Sequence, residues 1–150
     1  MKHVSFALVV LLLAASAPAA DPKVPAADWP NFAGPDRTNA SAGPKLLAQW
    51  PKDGPPQVWA RSDLGNGYSA PAVAGDRIYI LSGDDKHEHL LGLDAATGKT
   101  LWEEEVGPLF ENEYGNGPRG SPTVHGGRVF ALGSHGNLLA PTPPGKSSGW

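Results

Sequence analysis

Short apolar runs separated by small turn residues fill the chain from residue 57 onward and predict β-strands. The runs "YSAPAVAG" and "RIYILSG" meet at a Gly-Asp turn, and "LLGLD" and "KTLWEEEVG" meet at an Ala-Ala-Thr-Gly turn. Apolar runs bounded by such turn residues are typical of antiparallel hairpins. The charged loop "DDKHEH" separates the two pairs. We therefore expect an all-β unit of four short antiparallel strands, which is the size of one propeller blade.

The same pattern then begins again. Aligning Pro71 with Pro122 places "PAVAGDRIYILSG" over "PTVHGGRVFALGS" without a gap, and a "GNG" turn precedes both copies. Internal repetition at this length is typical of solenoids, arrays and propellers. Trp59, in the extended run "PQVWARS", precedes the first copy as Trp102 precedes the second. This run resembles a last strand without its own blade, which in a closed ring completes the blade from the opposite end of the chain.

The N-terminal part has a different character. In residues 1–20, Lys2 and His3 are followed by an apolar run and then by a stretch of small residues, "SAPAA". This order predicts a secretory signal peptide. The alternative is a membrane anchor, but the apolar run is shorter than the roughly 20 residues that span a bilayer. Residues 21–56 have no sustained period and predict an irregular arm. Its aromatic residues would pack on the main domain, although a wholly disordered arm is the alternative; they are Trp29, Phe32 and Trp50.

Composition narrows the classes of partner. The chain has no Cys. We therefore expect no disulfide, no thiolate metal ligand and no lipid anchor linked to a cysteine. Its 12 basic and 15 acidic side chains give a net charge of −3. This mild acidity argues against nucleic acid and against an anionic membrane surface as partners. We expect an exported protein, periplasmic or extracellular, without a membrane span.

The stretch "GLDAATGKTLW" resembles the tryptophan-docking repeat of pyrroloquinoline-quinone (PQQ)-type β-propellers. The pattern Ala-x-Asp-x-x-Thr-Gly-x-x-x-Trp is matched by Asp94, Thr97, Gly98 and Trp102, with Gly92 in place of the Ala. The segments "DWPNFAGPDR" and "WPKDGPPQVW" also resemble the lead-in of exported bacterial PQQ-like repeat proteins. The resemblance implies a propeller fragment of about one and a half four-stranded blades at residues 57–139, in which such Trp residues dock one blade to the next.

The motif also has a physical interpretation of its own. Asp94 can accept backbone N–H bonds across the turn, and Gly98 can adopt a positive φ where the chain reverses. Trp102 offers a large apolar face to a neighbouring sheet, and its full burial would contribute on the order of 3 kcal/mol. We expect structural rather than catalytic roles for these residues.

Other candidate groups are weaker. The run His87-Glu88-His89 offers two possible metal ligands, but no third is identifiable, and a solvated loop is the simpler interpretation. The run Glu103 to Glu105 is better explained as the solvent-exposed face and end of an outer strand than as a catalytic acid/base pair. Arg119 lies in a Gly/Pro loop at a repeat junction, where a propeller presents binding groups, and is a binding candidate. We predict no catalytic residue and no metal site.

The resemblance leaves two functions open. Quinoprotein dehydrogenases of this type use PQQ, a carboxylate base and calcium held by acidic and amide side chains, and none of those motifs can be placed in this sequence. Other relatives keep the propeller without the cofactor and serve as exported scaffolds. We expect a binding or scaffold module of the cell envelope that has no cofactor. It would bind other envelope proteins or peptides through the loops and edges of the propeller. The alternative is the N-terminal part of a PQQ-dependent alcohol dehydrogenase, an oxidoreductase.

Residues 140–150 break the pattern, because "PTPPGKSSGW" stands where a second docking motif is expected. In a shifted reading frame, codons for Pro143 to Gly149 can encode Thr-Gly-Lys-Val-Val-Trp, with the same Gly-to-Trp spacing as Gly98 to Trp102. A matching Asp would lie one residue too close. We therefore predict a frameshift near residues 139–142, and the alternative is a natural Pro-rich tail. Sequencing the locus distinguishes the two.

Overall fold

The computed structural model describes residues 28–41 and 48–144, and these residues form two antiparallel sheets. The first sheet has the order β1-β2-β3-β4 and the second has the order β5-β6-β7. The strands are β1 (Ala72–Ala74), β2 (Arg77–Gly83), β3 (His87–Asp94), β4 (Thr100–Pro108), β5 (Thr123–His125), β6 (Arg128–Leu132) and β7 (Leu138–Leu139). The predicted all-β class is confirmed, and the sheets are consistent with one complete blade and part of a second.

The internal repeat is visible in the register of the two sheets. Ala72 pairs with Tyr79 in the first sheet, and the aligned residues Thr123 and Phe130 pair in the second. The hairpins turn at aligned glycines too, since Gly75 has φ +58° and Gly126 has φ +55°. In both copies, glycine makes this left-handed turn possible without the steric cost of a Cβ.

The first sheet differs from the prediction at the β2–β3 connection. The charged loop is shorter than expected, and β3 begins at His87 inside it. Asp84 explains the early start, because its Oδ1 accepts the backbone N–H groups of Lys86 at 2.6 Å and His87 at 2.7 Å. A carboxylate that bonds its own loop in this way closes a tight turn and lets pairing resume at once.

The strand expected at "PQVWARS" was wrong, because residues 56–62 have no assigned strand. The segment is instead held through side chains. Trp59 Nε1 donates to the carbonyl oxygen of Ala95 at 3.0 Å, and Arg61 donates to that of Gly98 at 2.5 Å. Side-chain anchoring therefore replaces a backbone ladder at this position.

The hydrophobic core draws on both sheets. Its buried members come from β1 to β4 and from β6: Ala72, Ala74, Tyr79, Leu81, Leu90, Val106, Val129 and Ala131. The Tyr79 hydroxyl is buried without a hydrogen-bond partner among the described residues, and burial raises the pKa of Tyr79 to about 12. Packing in this core therefore holds the two sheets together.

Part of the N-terminal arm binds the inner edges of both sheets. Trp29 and Val73 exchange two backbone hydrogen bonds of 2.8 Å, and Val124 N–H donates to the carbonyl oxygen of Pro30 at 2.7 Å. The prediction that all three aromatic residues of the arm pack on the domain was wrong for two of them. Phe32 is 71% exposed and Trp50 is 51% exposed.

The predicted signal peptide, residues 1–20, lies outside the described residues, as do residues 145–150 of the tail. Pairing of the second sheet continues past β7, because Val129 N–H donates to the carbonyl oxygen of Pro141 at 3.0 Å. The frameshift stays a prediction. Within residues 28–41 and 48–144, the structure has no helix with the length and hydropathy needed to cross a membrane.

Candidate functional site

The turn between β3 and β4 is closed by the residues of the docking motif. Asp94 Oδ1 accepts the backbone N–H of Thr97 at 2.9 Å and its hydroxyl at 2.7 Å, and Gly98 N–H donates to the carbonyl oxygen of Asp94 at 2.8 Å. The Thr97 hydroxyl is the main cause that lowers the pKa of Asp94. Gly98 has φ +71°, a conformation that side chains with a Cβ rarely adopt. This arrangement holds the turn in one shape.

Trp59 docks on this turn. A Cβ on Gly98 would lie 2.7 Å from Cε3 of Trp59, so the indole ring rests on the glycine backbone. The indole Nε1 bonds the carbonyl oxygen of Ala95 in the same turn. Sequence reasoning assigned the docking role to Trp102 and missed Trp59 as the residue that contacts this turn. The sequence signal for this role was that Trp59 precedes the first repeat copy as Trp102 precedes the second.

Trp102 has a different environment. Its ring covers Gly92, where a Cβ would overlap the indole, and it lies 6.1 Å from the Tyr79 ring, centroid to centroid. This contact accounts for glycine where the motif has Ala. The Trp102 Nε1 is buried and has no hydrogen-bond partner among the described residues. The docking role of Trp102 therefore stays a prediction.

Arg119 is held at the repeat junction. Its guanidinium donates to the carbonyl oxygens of Gly115 and Gly117, both at 2.7 Å. It also lies over the rings of Tyr68 and Phe110, at 5.1 and 4.8 Å from their centroids. These contacts hold the guanidinium in place and stabilise the loop, and a ligand-binding role for Arg119 stays a prediction.

A group of titratable side chains lies where the β2–β3 loop meets β4. His87 and His89 are alternate residues of β3, and Asp84 lies in the loop before them. Asp84 Oδ2 is 3.0 Å from His89 Nε2, and Glu103 Oε1 is 2.9 Å from His89 Nδ1. Backbone N–H donation, first from Lys86 and then from His87, lowers the pKa of Asp84 to about 2. We call these four side chains, Asp84, His87, His89 and Glu103, the loop cluster.

Two parts of this arrangement escaped sequence reasoning. The expected solvated loop is a strand, and Asp84 supplies the third potential ligand that the sequence did not reveal. Glu88 lies on the opposite face of β3, fully buried, where its Oε2 accepts the backbone N–H of Ser134 at 2.8 Å. Glu88 thus links the first sheet to the β6–β7 loop of the second.

No group of the described residues is assigned to PQQ or calcium. The family resemblance implies that a quinoprotein dehydrogenase holds calcium with acidic and amide side chains and PQQ in the central channel. At the inner edge of β1, the Asp28 carboxylate is buried and accepts the backbone N–H of Gly75 at 2.9 Å. Among the described residues, the group with metal-ligand spacing is instead Asp84, His87 and His89 at the β2–β3 loop.

Repeated antiparallel sheets and a tryptophan docked on an Asp-to-Gly turn define a PQQ-like β-propeller repeat module. Comparison with known families agrees, because the family model described as outer membrane protein assembly factor BamB matches residues 24–146. The chain belongs to this family. Comparisons with curated proteins and with solved structures give no significant match.

Proposed function

We propose that the chain acts as an exported protein-binding module of the cell envelope, located in the periplasm or outside the cell. The family description names a factor in the assembly of outer membrane proteins, a task that depends on contacts between proteins. The proposal assigns no catalysis, PQQ or calcium to this chain. The dehydrogenase alternative is an outcome of the test below.

The family match over residues 24–146 carries the proposal, and the surface that we propose for a partner is the outer edge of the second sheet. β7 pairs with β6 through Leu138 and Leu139, and no described strand pairs with its other edge. An open strand edge offers backbone N–H and C=O groups to an extended segment of a partner, which adds to the sheet as a further strand.

Apolar side chains beside this edge offer a partner segment an exposed contact surface. Leu132 and Leu138 lie directly opposite each other across β6 and β7, and they are 55% and 66% exposed. An exposed pair of leucines next to an open edge gives a partner segment both a hydrogen-bonding register and an apolar contact.

Photo-crosslinking in a bacterial host with an outer membrane tests the proposal. A photoreactive amino acid at Leu138 of the full chain is expected to give protein adducts in the envelope fraction, and the same group at exposed Lys52 of the arm is the matched control. Deleting residues 1–20 is expected to abolish the adducts and leave the chain in the cytoplasm. Equal adducts from both positions, or none from Leu138, would contradict protein binding at this edge.

A second experiment addresses the cofactor. The purified full chain is incubated with PQQ and Ca²⁺, separated from free cofactor by gel filtration, and assayed for dye-linked alcohol oxidation. We expect no retained PQQ absorbance and no dye reduction. Stoichiometric PQQ with alcohol-dependent dye reduction would overturn the proposal in favour of the oxidoreductase.

A further inference from the structure

We propose that Asp84, His87 and His89 bind a divalent transition-metal ion of the zinc class, with Glu103 as a positioning residue. The inference goes beyond the proposed function, because protein binding at the β7 edge requires no metal. It rests on the shape of one hairpin and on the chemistry of its side chains.

The ligand set arises from strand geometry. Alternate residues of a strand point to the same face, so the side chains of His87 and His89 lie on the same face of β3 while Glu88 points to the other. The tight turn brings Asp84 back over that face. One ligand atom from each of the three residues lies within 4.8 Å of the other two.

These separations are close to those of a bound ion. Zinc binds imidazole nitrogen and carboxylate oxygen at about 2.1 Å, so two ligands of one tetrahedral ion lie about 3.4 Å apart. Movements of about 1 to 1.5 Å by side chains of the loop cluster close the difference from 4.8 Å. His87 is free to move in this way, because 42% of its side chain is exposed.

The surrounding groups orient the ligands. Glu103 Oε1 faces Nδ1 of His89 at 2.9 Å, which places the ring proton there and leaves Nε2 toward Asp84. A carboxylate that holds the far ring nitrogen of a ligating histidine is the usual supporting contact of a metal site. Asp84 Oδ1 is fixed by two backbone N–H groups, so its Oδ2 is the oxygen directed at the site.

Charge and access also suit a cation. Asp84, Glu103 and the nearby Glu105 are acidic, and Glu105 Oε1 lies 4.0 Å from Nε2 of His87. Asp84 and His89 line an open cleft of about 260 Å³, which gives an ion a route from solvent. Three protein ligands leave a fourth tetrahedral position for water, as in open zinc sites. The competing structural role is a His89 ring held between two carboxylates without any metal.

Calorimetric titration with Zn²⁺ separates the two roles. The full chain, free of affinity tags and stripped with chelator, is expected to bind one equivalent. His89→Asn and Asp84→Asn are each expected to weaken binding at least about 10-fold, and Glu103→Gln by about 10- to 100-fold. His125→Asn is the matched control, because His125 is an exposed histidine outside the loop cluster, and it should bind as the wild type does.

Cobalt binding to the wild-type chain gives a readout that does not depend on a variant folding. Co²⁺ in the wild-type chain is expected to show the visible bands of tetrahedral nitrogen and oxygen coordination, and Glu103→Gln should shift them. Absence of saturable Zn²⁺ binding, absence of tetrahedral Co²⁺ bands in the wild type, or unchanged affinity in folded His89→Asn would overturn the proposal.

Discussion

Replacing Gly98 with alanine tests the contact that docks Trp59 on the β3–β4 turn. Alanine at φ +71° carries a backbone cost of about 1 kcal/mol. Its Cβ would also lie 2.7 Å from Cε3 of Trp59, closer than Cβ atoms approach other atoms, so the ring must move. Displacing the ring weakens the 3.0 Å bond from Nε1 to Ala95, which contributes about 1 kcal/mol, and repacking costs about 1 kcal/mol more. The expected loss of unfolding free energy is about 3 kcal/mol.

Gly127→Ala is the matched control. Gly127 has φ +75°, and a Cβ placed on it meets nothing within 4 Å, so this variant carries the backbone cost alone. Thermal unfolding followed by far-UV circular dichroism is expected to show a midpoint roughly 4 to 8 °C lower for Gly98→Ala than for Gly127→Ala in this chain of 150 residues. In a Trp59→Leu background this difference should largely disappear. Equal midpoints for the two glycine variants, or a difference that persists without Trp59, would refute the docking contact.

Three further predictions concern single polar groups. Trp59→Phe should cost about 1 kcal/mol more than Trp102→Phe, because both replacements shrink the ring but only that of Trp59 also removes a hydrogen bond. Urea denaturation of both variants compares the two losses. Tyr79→Phe should raise stability by about 1 kcal/mol, because the buried hydroxyl has no partner among the described residues, and a lower urea midpoint would contradict this. The pKa of Asp94 is lowered from 3.8 in the folded chain, so its charge stabilises the fold above that pH and this contribution is lost as pH falls. Asp94→Asn should therefore lower the melting temperature most at neutral pH and least in acid, and a constant difference across the pH range would argue against the assignment.

Local patterns in the sequence were sufficient to predict the repeat and most strand positions. The aligned runs after Pro71 and Pro122 become hairpins of equal register, since the signals lie within a few adjacent residues. The glycine turns are equally local. The confirmed all-β class and the family resemblance rest on the same short-range features.

Features that depend on distant residues or on side-chain bonding were harder to predict. Periodicity could not show that Asp84 would close its own loop, so β3 was expected to begin too late and the third side chain of the loop cluster was missed. Trp59 binds a turn 36 residues away, and its sequence signal was its place before the first repeat, which did not identify the turn that it contacts. Phe32 and Trp50 show the opposite error, since aromatic residues were assumed to be buried and are largely exposed.

The bonds of the N-terminal arm have a consequence for the order of folding. Trp29 pairs with Val73, and Pro30 accepts a bond from Val124, so the arm needs inner strands of both sheets before it can complete its contacts. Most of the chain separates Pro30 from Val124, and contacts of long sequence separation form slowly because a large loop must close first. We therefore expect the N-terminal arm, although it is synthesised early, to be among the last segments to reach its folded position. Its docking requires that both sheets have already assembled.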